Sequence, residues 1–145
     1  MSGGPSRRHA RAESLQILYQ LDLNHELTTS AAVFYFEKNF SKAGKTIDDF
    51  THRLVTGVTD NLKAIDNYVN ATKANWKLER MAVVDRNILR LGVFEFYFCD
   101  DIPATVTINE MVELAKQFGA AETPAFVNGV LDELKRKLAR PNKAP

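Results

Sequence analysis

The chain has 145 residues, 45% hydrophobic and 26% charged, which suits one compact domain able to bury a core without disulfides or metal. A formal net charge of +1 excludes bulk basicity as a route to nucleic acid, so any cationic patch must come from uneven placement of charge. One cysteine, Cys99, excludes an internal disulfide. No apolar run is long enough to span a membrane and the start lacks a signal-peptide core, so the expected location is cytoplasmic.

Residues 1–6 form a Gly/Pro/Ser tail with nothing to bury and are expected to be flexible. Arg7, Arg8, His9 and Arg11 follow, leading into a helix with Leu15, Ile17, Leu18 and Leu21 at three- and four-residue spacings. Asn24 and His25 end that pattern. Val33, Phe34, Phe36 and Phe40 predict a short second helix, and the stretch from Ser41 to Lys45 a loop. Asp48 or Asp49 can cap a third helix carrying Phe50, Leu54, Val55 and Val58. A fourth starts near Asp60 and carries Leu62, Ile65 and Val69. Between Ala71 and Ala82, Trp76, Leu78 and Met81 alternate with polar residues over too short a span to decide.

From Asp85 to Cys99 the chain is apolar nearly all round, which predicts a central, buried helix, with a buried strand as the competing reading. Pro103 breaks what precedes it. Thr107 and Glu110 have capping-box spacing, so a helix is expected to open there with Ile108, Met111, Val112, Ala115 and Phe118 on one face. Gly119 is expected as a left-handed C-terminal stop. Thr123 followed by Pro124 predicts an N-cap and first helical position. The final helix then carries Phe126, Val127, Val130, Leu131, Leu134 and Leu138, with Lys135, Arg136, Lys137 and Arg140 near its negative end.

Recognisable catalytic chemistry is sparse. Ala43-Gly44-Lys45-Thr46 imitates the end of a phosphate-binding loop, but Asn39 stands where the pattern needs a glycine. The three histidines and Cys99 lack metal-ligand spacing, and no serine sits in a nucleophile elbow. Asp48–Asp49 and Asp100–Asp101 suit caps and turns. These readings favour a protein that is not an enzyme, with no cofactor and no catalytic residue.

The N-terminal arginines are the best candidates for binding. Arg7 and Arg11 share a helix face, guanidinium forks match phosphate, and cations at a helix N-terminus oppose its dipole. A solvated helix start is the plainer alternative. Tyr19 and Phe126 can pack into the core or stack on a base. Glu79, Arg80, Asp85, Arg86 and Arg90 precede or punctuate the most apolar helix, as ion pairs and caps or as a partner surface.

The segments Ile102–Glu110, Glu113–Gly119 and Phe126–Asp132 closely resemble the C-terminal signature of the NusB family. The run Asp85-Arg86-Asn87-Ile88-Leu89-Arg90 resembles its central motif, and Arg7–Glu13 with Gln16–Gln20 its opening helix, in the same order across nearly the whole chain. The resemblance implies an all-α fold: a single compact bundle of about seven helices in two packed helical subdomains. Their expected extents are three helices over about 7–60 and four over about 61–140, with 141–145 a tail. It further implies an antitermination factor that binds boxA-type single-stranded RNA with the ribosomal protein NusE in an RNA polymerase antitermination complex, supporting ribosomal RNA transcription. Some members of the family form homodimers. By position, the RNA surface would include Arg7, Arg8, Arg11, Tyr19, Glu122 and Phe126, and the partner-facing residues would be Glu79 and Asp85. Here His9 stands where many relatives have arginine, and Thr123-Pro124 replaces more polar residues. The alternatives are a homodimeric protein-interaction module, or an RNA-binding module related to the N-terminal domain of ribosomal RNA methyltransferases. A methyltransferase proper would need a glycine-rich segment after a strand, which this sequence lacks.

Overall fold

The computed structural model describes residues 5–41, 45–72 and 77–138. Among the described residues the chain forms seven α-helices and one short 3-10 turn, with no strand, so the all-α expectation holds. Two compact units divide the chain, one up to Asp60 and one from Asn61.

The first unit contains α1 (Pro5–Leu23), α2 (Thr29–Asn39) and α3 (Asp49–Asp60), with α1 packed on both of the others. The first helix begins inside the stretch read as a tail; residues 1–4 lie outside those described. Its buried side chains include Leu15, Ile17 and Leu18, while α3 buries Phe50, Leu54, Val55 and Val58. Thr28 caps α2 by accepting the Ala31 N–H at 3.1 Å. Of the aromatics on that helix only Phe36 is buried; Phe34 and Tyr35, and Phe40 just beyond, remain exposed. A polar tie joins α1 to α3, where the buried Thr51 hydroxyl donates to Glu13 Oε1 at 3.0 Å. In the expected loop after α2, the phosphate-loop imitation falls partly outside the described residues, at Ala43 and Gly44.

The second unit contains α4 (Leu62–Asn70), a 3-10 turn at Leu78–Arg80, α5 (Val83–Phe98), α6 (Ala104–Phe118) and α7 (Thr123–Arg136). Trp76 lies outside the described residues. The apolar run is a helix, not a strand. Three helices, α4, α6 and α7, pack against α5, which is why its apolar residues encircle it. Ile88, Leu89, Leu91, Val93 and Phe96 are all fully buried, each stabilising the fold by roughly 1.5–3 kcal/mol over its exposed state. Gly92 lets the neighbours approach: a Cβ there would lie 2.9 Å from both Leu131 methyls and 3.3 Å from Met111 Cγ. On the α4 side, Arg90 grips Asp66 with a two-toothed fork, Nε to Oδ1 at 2.9 Å and Nη2 to Oδ2 at 3.0 Å. Beside it Tyr68 of α4 stacks on Tyr97 of α5 with centroids 3.8 Å apart. Cys99 is fully buried just past the end of α5.

Three local expectations are corrected. Thr107 does not cap α6. The helix begins three residues earlier, after an extended Pro103, whose carbonyl already receives the Val106 and Thr107 N–H groups at 3.1 and 3.2 Å. Thr107 is instead fully buried, and its hydroxyl donates to the buried Glu95 Oε1 of α5 at 2.7 Å. Gly119 is not left-handed, since its φ of −95° and ψ of −176° are extended. What excludes a side chain is crowding, because a Cβ would lie 2.6 Å from Thr123 Cβ. Thr123 is the first residue of α7 and not its N-cap, a position Glu122 holds without a side-chain bond. Its buried hydroxyl accepts the Ala120 N–H at 3.0 Å and donates to Asp85 Oδ1 at 3.0 Å, joining the loop and α7 to the start of α5.

Candidate RNA-binding surface

The basic cluster is sorted by depth along the first turns of α1, which has no acidic residue in its opening turn. Arg8 is exposed, Arg7 half-buried and Arg11 only 3% exposed. Arg7 and Arg11 do share a face, as their spacing predicts, and it is turned toward α3. Phe50, itself buried, offers its ring to both: the Arg7 guanidinium carbon lies 4.3 Å from the centroid and that of Arg11 5.3 Å. A third guanidinium, from the half-buried Arg53, lies 5.8 Å from the same centroid. An aromatic face carries partial negative charge and attracts guanidinium groups within about 6 Å, so this ring serves as a common seat for three cations.

Sequence reading missed Arg53 and saw Phe50 only as part of an apolar stripe. The available signal was their spacing of three residues, which places Arg53 beside Phe50 on α3. His9 turns elsewhere: it is exposed, with Nε2 3.1 Å from Glu13 Oε2. Tyr19, three turns further along α1, is half-buried.

In the second unit Glu122, Phe126 and Asp85 meet at the start of α7. Glu122 is exposed at the cap position, and its carbonyl receives the N–H of the half-buried Phe126 at 3.2 Å. Asp85 is held there by Thr123. Glu79 is exposed on the 3-10 turn.

Outside the predicted set, α2 and α3 line a groove of about 320 Å³ that includes Val33, Phe34, Glu37, His52 and Val55. The Lys38 ammonium sits 5.4 Å above the Phe34 ring at its edge. Among the described residues, no group of three or more His, Cys, Asp or Glu could hold a metal ion, and no helix is long and apolar enough to cross a membrane.

Residues 8–136 match the NusB family profile. The transcription antitermination protein NusB of Bacillus cereus (strain B4264) is 42% identical over 132 residues, spanning 91% of this chain and 98% of its own length. That of Bacillus anthracis (strain A0248) is similar to the same degree. Among solved structures, T. maritima NusB superposes with a TM-score of 0.80 at 33% identity, covering 94% of this chain and 95% of that one. A structure of the antitermination factors NusB and NusE in complex with dsRNA superposes with a TM-score of 0.76 at 25% identity, covering 91% of this chain and 97% of that one.

Proposed function

The chain belongs to the NusB family, and on that premise we propose that it acts as a transcription antitermination factor, binding boxA-type single-stranded RNA together with the ribosomal protein NusE. The reading is of a non-enzymatic, cytoplasmic protein that supports ribosomal RNA transcription within an RNA polymerase antitermination complex. The observation that carries it is the seating of Arg7 and Arg11 on Phe50, beside an exposed Arg8. Arginine charge concentrated on one short stretch supplies what a net charge of +1 does not.

In this reading Arg7 and Arg8 neutralise phosphates, while the enclosed Arg11 adds to the field and steadies the cluster. Tyr19 and Phe126 offer ring faces to unpaired bases, and Glu122 accepts hydrogen bonds from base edges. Glu79 and Asp85 face the protein partner. NusE supplies further charge and contact area, so the chain alone binds modestly. Each neutralised phosphate contributes about −0.7 to the slope of log affinity against log salt.

The test is a titration of boxA RNA at several salt concentrations, with and without NusE. Binding that strengthens with NusE and weakens steeply with salt is expected. An absence of binding under all of these conditions overturns the reading.

A further inference from the structure

Three guanidinium groups gather on one ring, but they are not equally placed to meet a ligand. Their distances from the Phe50 centroid put every pair of charges within about 11 Å, on the order of one Debye length at 0.1 M salt. Arg11 is only 3% exposed and cannot receive an RNA phosphate without local opening. Arg7 and Arg53 reach the same ring from two different helices and both keep accessible surface.

We infer that Arg53 is a further RNA-phosphate contact, seated on Phe50 beside Arg7, with Arg11 a positioning residue beneath them; this rests on the RNA-binding reading above. The warrant is the convergence itself. The aromatic face holds guanidinium groups from two helices on one ring, where each planar fork matches a phosphate. Phe50 in turn limits the rotamers of the side chains seated on it, so less entropy is lost when an anion arrives. Asp49, exposed in the first turn of α3, tempers the local field and keeps the contribution of Arg53 moderate.

The test compares the full chain with its Arg53→Gln variant, titrating labelled single-stranded boxA RNA in the presence of NusE from low to high salt. Glutamine keeps most of the stem's packing while removing the charge. The slope of log affinity against log salt is expected to become shallower by roughly 0.7, with affinity at 0.1 M salt falling roughly fivefold. Arg53→Lys should restore the slope, because it restores the charge. Arg136→Gln, at an exposed residue of α7 paired with Asp132, should leave both quantities unchanged. Thermal melting by circular dichroism checks that each variant folds, and Arg53→Met gives the same readout should the glutamine variant not fold. If the parent chain binds and Arg53→Gln retains its slope and affinity, the inference is overturned while the RNA reading stands. A loss of affinity without a change of slope marks a merely structural role and also overturns it. If the parent chain itself does not bind, the RNA reading fails and this inference falls with it.

Discussion

The second helix and the fifth look alike in composition and behave oppositely. Both are rich in aromatic side chains. Around α5, Phe94 and Phe96 are buried because α4, α6 and α7 all pack against that helix. On α2, Phe34 and Tyr35 stay exposed, and burial is confined to Ala32 and Phe36. The same contrast separates the two units more broadly. In the second unit polar groups serve the core: Thr107 satisfies Glu95, Thr123 satisfies Asp85 and Arg90 satisfies Asp66. In the first, beside one such tie from Thr51 to Glu13, an aromatic ring serves a set of cations. Hydrophobicity states that a side chain gains by leaving water; the number of neighbouring elements decides whether it can.

The sharpest way to break that comparison is to truncate each side. Leu131→Ala, in α7 against Gly92 of α5, is expected to destabilise the protein by about 2–5 kcal/mol, read from urea unfolding. Phe34→Ser should change stability by no more than about 0.5 kcal/mol. Equal losses would show that α2 is not the open helix described above.

A smaller effect sharpens the polar half of the contrast. Thr107→Val keeps the shape but removes the hydroxyl that donates to Glu95 Oε1, and should cost about 1–3 kcal/mol. Thr107→Ser should recover most of it. If valine is neutral in the same unfolding assay, the buried hydroxyl does not stabilise α5 against α6.

The smallest expected effect lies in the arginine cluster. Arg11→Ala should lower stability by about 1 kcal/mol through lost stem packing and ring contact. The exposed Arg8→Ala should alter stability by less than about 0.5 kcal/mol while weakening RNA binding. Melting curves and RNA titrations on the same two variants separate the roles. Equal stability losses would mean that depth does not divide the cluster.

Much of the helical layout was legible because it rests on local periodicity. The three- and four-residue spacings of Leu15, Ile17, Leu18 and Leu21, the punctuation at Asn24, and the nearly all-apolar run ahead of Cys99 all correspond to observed elements. The misread details share another character. Thr107 and Glu110 have the right spacing for a capping box, but Pro103 starts the helix first and a buried carboxylate on another helix claims the hydroxyl. At the candidate site, Arg7, Arg8 and Arg11 were found from their clustering, whereas Arg53 was not. Arg7 and Arg11 lie more than forty positions from it in the chain, and its three-residue spacing to Phe50 does not by itself bring them together.

By itself, then, the sequence determined which segments are helical, which faces of them are apolar and that positive charge concentrates at the start. Those properties follow from spacing within a few residues, where chain connectivity fixes the geometry. Only the tertiary structure decided that Gly119 is needed for its closeness to Thr123 and not for handedness, that Arg11 lies enclosed while Arg8 faces water, and that Phe50 gathers cations from two helices. Each depends on which atoms from distant parts of the chain share a volume, and that is settled by packing.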